Sequence, residues 1–109
     1  MILLGLGSNL PWGEASPQHT LAAAVSLIGA FAPVLAASRL WRSPAWPDPA
    51  DPPFVNMALS VLSAERPDAL LGRLHRVEAR FGRVRGAKNA PRTLDIDLLD
   101  YNGLVLEGA

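Results

Sequence analysis

Five of the eleven residues from 43 to 53 are proline. Proline fixes φ and removes a backbone donor, so this stretch can be neither helix nor interior strand. It is also stiffer than a Gly/Ser linker. Regular structure therefore has to form on either side of it. On the N-terminal side, residues 2–6 are an apolar run that ends in Gly7-Ser8-Asn9, which predicts a buried strand and a turn. Ser16-Pro17 predicts a helix start, with Ser capping orphan amides and Pro at the first helical position. That helix runs through Leu21, Val25 and Ile28 and stops near Gly29 and Pro33. Residues 34–41 read as a second strand. On the C-terminal side, residues 54–62 read as a third strand. Pro67 opens a second helix, whose stripe of Leu70, Leu71, Leu74, Val77 and Phe81 is closed by Gly82. Residues 83–91 form a loop, 93–99 a fourth strand and 101–103 a turn, and 104–106 begin a fifth strand. The order β-α-β-β-α-β predicts an α+β, ferredoxin-like split βαβ fold, an antiparallel sheet with helices on one face. The length of 109 residues predicts one domain, residues 1–109. No repeat or domain linker is visible. The fold hosts many activities, so function has to come from side chains.

Composition narrows the classes. Half of the residues are hydrophobic, which excludes a disordered chain. Ten basic and ten acidic residues give zero formal charge. Neither a nucleic-acid partner nor an anionic membrane surface is expected of such a balance. There is no Cys, so disulfides and thiolate metal sites are excluded. The N-terminal run has no basic region before it and is shorter than a signal peptide, and no window approaches a membrane span. The expected location is cytoplasmic.

The charge is unevenly spread. Between residues 73 and 92 stand Arg73, Arg76, Arg80, Arg83, Arg85, Lys88 and Arg92 against one acid, Glu78; after them come Asp95, Asp97, Asp100 and Glu107 with no base. A strand over 93–99 puts Thr93, Asp95 and Asp97 on one face and Leu94, Ile96 and Leu98 on the other. At ~3.3 Å per residue the two carboxylates are about 7 Å apart and can converge on hard cations. Mg²⁺ takes one or two carboxylates and completes its shell with phosphate oxygens and water. A solvent-facing polar side of the strand would give the same pattern, but the adjoining Arg92, with Arg83, Arg85 and Lys88 before it, favours a metal–polyphosphate site. Arg offers phosphate a planar fork and Lys a compact charge. No GxxxxGK[ST] pattern occurs, so this is not a Walker-type loop.

Glu78 falls within the arc of the second helix's apolar stripe. It either has a buried partner, for which Arg83 and Arg85 are placed, or sits at the rim with its carboxylate in water. Arg73, Arg76 and Arg80 fall on another face and read as solvated, and His19 and His75 as surface residues. Phe54 and Asn56 alternate onto one face of the third strand. A ring beside an amide suits a flat heteroaromatic ligand, although Phe54 alone also suits core packing.

Four separated segments resemble the hydroxymethyldihydropterin pyrophosphokinase family. They are Gly7-Ser8-Asn9-Leu10; Trp41-Arg42-Ser43-Pro44 with Phe54-Val55-Asn56; Val77-Glu78 with Gly82-Arg83-Val84-Arg85; and Pro91-Arg92-Thr93-Leu94-Asp95-Ile96-Asp97. They stand in the family's order, cover essentially the whole chain, and the last is the most specific. The resemblance implies a folate-biosynthesis transferase that moves pyrophosphate from ATP to 6-hydroxymethyl-7,8-dihydropterin, releasing AMP. It implies Asp95 and Asp97 as ligands of two Mg²⁺ ions. Arg83, Arg85 and Arg92 would serve the triphosphate and the catalytic loop, with Glu78 and Lys88 also at the nucleotide. Ser43, Pro44, Ala45, Phe54 and Asn56 would form the pterin pocket.

Two departures accompany it. Lys88-Asn89-Ala90 stands where the family often has Arg-Trp-Gly, in a loop one residue shorter. The family also continues with a Pro-His segment, then an Arg and an aromatic residue, whereas this sequence ends at Ala109. The resemblance therefore implies a chain short of that segment, with weakened activity and a sheet edge after 104–106 open to self-association. Two other classes fit the same fold: a non-catalytic regulatory domain that binds a small ligand, and an RNA-binding RRM. The first leaves the Arg loop beside Asp95 and Asp97 unexplained. The second lacks its signature motif and a basic excess.

Overall fold

Alternation sorts the side chains of this chain onto two unlike sheet faces. The structure is a computed structural model that describes residues 1–45, 48–82 and 93–103. Its elements are β1 (Ile2–Ser8), α1 (Pro17–Gly29), β2 (Val34–Ala37), β3 (Trp41–Ser43), β4 (Phe54–Val61), α2 (Pro67–Arg80) and β5 (Asp95–Tyr101). The strands form one antiparallel sheet in the order β2-β4-β1-β5, with β3 also paired to β4. This is the expected α+β, ferredoxin-like arrangement. The expected fifth strand at 104–106, and the edge it would leave, lie outside the described residues.

On one face of the sheet, Ile2, Leu4 and Leu6 of β1, Val55, Met57, Leu59 and Val61 of β4, and Ile96 and Leu98 of β5 are buried. Both helices cover this face, α1 through Leu21, Ala24 and Ile28 and α2 through Leu70, Leu74 and Val77, in one continuous core. Each Leu or Ile brought in contributes roughly 1.5–3 kcal/mol. The helix starts follow the sequence signals. Ser16 Oγ accepts the His19 amide at 3.3 Å, and Pro17 and Pro67 occupy the first turns. Gly82 has φ +74°, which ends α2 in the left-handed region that glycine tolerates. Among the described residues, no helix is long and apolar enough to cross a membrane.

Three boundaries differ from expectation. β1 runs on through Gly7 and Ser8, because Gly7 pairs with both Asn56 and Asp95. The strand expected over 34–41 is broken at Ser38. The Ser38 hydroxyl accepts the Ala58 amide at 2.8 Å, taking a ladder carbonyl's place, and the pairing with β4 has moved on by one residue where β3 begins. β5 starts at Asp95 rather than Thr93 and runs on to Tyr101, so alternation does not place Thr93 on the face of the two acids. A bulge at Leu99 returns Tyr101 to the core, where its hydroxyl donates to the Glu65 carbonyl. The turn then falls on Asn102 and Gly103, at φ 53° and 80°.

Candidate functional site

The uncovered face carries the chemistry. The register sets Asp95, Gly7, Asn56 and Trp41 in one row across β5, β1, β4 and β3. Asp97, Gly5 and Ala58 form the next. Because β1 contributes two glycines, nothing projects from the middle strand. The result is a cleft of about 290 Å³, with Asp95, Asp97 and Leu99 on one side and Trp41, Ser43, Phe54 and Asn56 on the other. Strands lie ~4.8 Å apart, so the acids and the Asn56–Phe54 wall are roughly 10 Å apart, enough for a flat ring beside a phosphate. Space above Gly7 is tight: a Cβ there would lie 3.3 Å from Asn56 Oδ1 and 3.4 Å from Phe54 Cδ1.

Asn56 is held in one orientation. Its Nδ2 donates to Ser43 Oγ at 2.9 Å and to the Trp41 carbonyl at 3.3 Å. A backbone carbonyl only accepts, so the nitrogen must be on that side, and Oδ1 faces the space over Gly7 as an acceptor. Beside this cleft lies a second cavity of about 360 Å³, lined by Arg42, Ser43, Pro44, Ala45, Pro49, Asp51 and Pro53. Ser43 belongs to both. Asn9, 3 % exposed, donates from Nδ2 to the Pro52 carbonyl at 3.0 Å and so ties the proline-rich connection to the end of β1.

Asp95 is half-buried and Asp97 exposed, on the same face of β5. Among the described residues no group of three His, Cys, Asp or Glu side chains gathers as a metal cage. A pair of carboxylates is nonetheless what Mg²⁺ uses when phosphates supply its remaining ligands, so the donor set fits that ion. Glu78 lies on the other side of the sheet. It is 1 % exposed and accepts the Ile96 amide at 2.8 Å. The rim reading is therefore replaced by a buried one, in which the carboxylate holds the backbone between Asp95 and Asp97. Burying it with a charge-assisted partner avoids the cost of an isolated charge.

Residues 3–107 match the model of the family described as 7,8-dihydro-6-hydroxymethylpterin-pyrophosphokinase. The chain belongs to this family. Relatives named 2-amino-4-hydroxy-6-hydroxymethyldihydropteridine pyrophosphokinase include one from Methylorubrum extorquens, 38% identical over 102 residues, 92% of this chain and 62% of the relative. One from Synechocystis is 35% identical over 107 residues, 98% of this chain and 53% of the relative. One from Pseudomonas putida is 35% identical over 106 residues, 95% of this chain and 84% of the relative. The chain thus spans between half and two thirds of the length of the first two.

In this family member the structure brings Ser43, Phe54, Asn56, Asp95 and Asp97 to one cleft and puts Pro44 and Ala45 in the adjoining cavity. Glu78 is not in the cleft; it lies behind β5. Arg83, Arg85, Lys88 and Arg92 lie outside the described residues. Sequence reasoning missed Gly5 and Gly7 as the cleft floor, and Trp41 and Leu99 as its walls. The signal for the glycines was the Gly5-x-Gly7 alternation inside an apolar strand, where glycine often marks close approach of a ligand or another side chain.

Proposed function

We propose that this family member transfers the β,γ-pyrophosphoryl group of ATP to the hydroxymethyl oxygen of 6-hydroxymethyl-7,8-dihydropterin, giving AMP and the pterin diphosphate. The observation that carries the reading is the row Asp95–Gly7–Asn56. With Asp97 in the next row and Phe54 beside Asn56, a pair of carboxylates faces a ring and an amide across a floor without side chains, which suits a metal–phosphate group next to a heterocycle. Family membership supports the same reaction.

In this scheme the pterin ring lies against Phe54, and Asn56 Oδ1 accepts from a ring N–H. Ser43, Pro44 and Ala45 complete the wall. Asp95 and Asp97 hold two Mg²⁺ ions, which when bound neutralise phosphate charge and polarise the β-phosphoryl group. The pterin oxygen attacks the β-phosphorus. The bond from that phosphorus to the oxygen shared with the α-phosphate breaks, AMP leaves with that oxygen, and the hydroxyl proton passes to solvent. Arg83, Arg85 and Arg92 act as phosphate ligands and catalytic-loop residues, and Lys88 and Glu78 complete the nucleotide side. Glu78 does so through the backbone of β5. The protein's share of catalysis is alignment and charge stabilisation, with no side chain acting as general base. A cytoplasmic location goes with this reading. The test is product analysis with Mg²⁺ and ATP, with and without the pterin. AMP that appears only with the pterin, in equal amount to pterin diphosphate, is expected; ADP as the nucleotide product would overturn the assignment.

A further inference from the structure

The helical layer, on the opposite side of the sheet from the cleft, carries a cavity that the proposed reaction does not use. It measures about 190 Å³ and lies between α1 and α2, lined by Leu27, Phe31, Arg73, Arg76, Val77 and Arg80. Val77 is buried, and Leu27 and Phe31 are half-buried against the core, so the floor is apolar and fixed. Arg73 is committed to the protein. Its Nε lies 2.6 Å from Glu65 Oε1, and its guanidinium lies 5.5 Å from the centre of the Phe31 ring. Arg76 and Arg80 differ, because among the described residues neither forms an ion pair with an acid. They stand four apart on α2, about 6 Å along its axis, where like charges repel. An anion between them would relieve that repulsion, and two guanidinium forks can grip one carboxylate.

We propose that this cavity binds a small organic anion with a flat apolar body, of the arenecarboxylate class. The carboxylate sits between Arg76 and Arg80, and the ring lies over Leu27, Phe31 and Val77. The apolar floor argues against a bare inorganic anion, and two cations without an acid partner among the described residues argue against a neutral ring. The volume admits a single ring and its carboxylate.

The test uses the whole chain with methyl-labelled Leu and Val, titrated with sodium benzoate, benzamide and inorganic phosphate and followed by NMR. Benzoate should shift the Leu27 and Val77 methyls saturably. Arg76→Gln and Arg80→Gln should each weaken it about tenfold, the usual value of one charge-assisted hydrogen bond. Arg66→Gln removes an exposed cation at the start of α2, already paired with Asp68, and should leave benzoate affinity unchanged. All three residues are exposed, and circular dichroism checks that each variant is folded. The proposal is overturned if benzoate gives no saturable shift up to on the order of 10 mM. It is equally overturned if benzamide or phosphate shifts the same methyls as strongly, or if Arg66→Gln weakens binding as much as the other two. None of these readouts depends on pyrophosphoryl transfer.

Discussion

Gly7→Ala is the sharpest perturbation of the cleft, because it adds one methyl group to the floor and removes nothing. The new Cβ would lie 3.3 Å from Asn56 Oδ1 and 3.4 Å from Phe54 Cδ1, inside the optimal separation of about 3.5–4.0 Å. One of them must yield by a few tenths of an ångström. Asn56 is tethered to Ser43 Oγ at 2.9 Å and to the Trp41 carbonyl at 3.3 Å, and loosening one such bond costs about 1 kcal/mol. Alanine also restricts the unfolded chain, which returns about 0.4–1 kcal/mol. Net stability should therefore change by no more than about 1 kcal/mol, measured by urea denaturation. Pterin affinity should suffer more, because the methyl intrudes where the ring would lie and shifts both wall residues. Overpacking of about 1–3 kcal/mol predicts at least a roughly fivefold loss. Gly5→Ala is the control: its Cβ would lie 3.2 Å from Leu99 Cδ1, the far end of an exposed side chain that can rotate away. It should keep pterin affinity within about threefold, under 1 kcal/mol. Calorimetry with the dihydropterin decides. Unchanged affinity in Gly7→Ala, or an equal loss in Gly5→Ala, would refute the glycine-floor argument.

Asp95→Asn and Asp97→Asn should each lower Mg²⁺-dependent ATP affinity by at least about tenfold, one charge-assisted ligand; unchanged affinity in both would remove the metal assignment. Asn56→Ala should weaken pterin binding by roughly 1–3 kcal/mol while ATP affinity hardly moves, and equal losses for both ligands by calorimetry would misplace the pocket. Glu78→Ala should destabilise the fold by about 2 kcal/mol in urea, because it leaves the Ile96 amide buried and unpaired, whereas Glu78→Gln keeps an acceptor and should cost less. Equal stability of Glu78→Ala and the parent would show that this bond does not hold β5.

The two halves on either side of the prolines, both helix starts and the order of elements along the chain were legible, because each rests on a local signal. Ser16 capping, the Pro67 start and the strand alternation of residues 54–61 need no tertiary knowledge. The interruption at Ser38 was not legible, since a hydroxyl that takes a neighbouring strand's amide depends on which strand lies alongside. The bulge at Leu99 was hidden for the same reason: without the pairing to β1, Tyr101 reads as part of a turn. At the site, Asp95 and Asp97 could be placed on one face from alternation alone, and so could Phe54 and Asn56. That these two pairs share a cleft, with Gly5 and Gly7 between them, follows only from the register of three strands. Glu78 shows the limit in another way. Periodicity located it beside the apolar stripe, but one of its partners, a backbone amide eighteen residues away, has no side-chain signature.

In the proposed reaction the acid pair is the nucleotide–metal side of a cleft floored by Gly5 and Gly7. This assignment is tested most directly by NMR with Mn²⁺ in place of Mg²⁺, titrated in the presence and absence of ATP. A paramagnetic ion broadens nearby signals first. With ATP, the amides of Gly5, Gly7, Asp95 and Asp97 should broaden first, while those of Leu21 and Leu74 in the helical layer stay sharp. Nucleotide-dependent broadening centred on the helical layer, or none at Gly5 and Gly7, would contradict it.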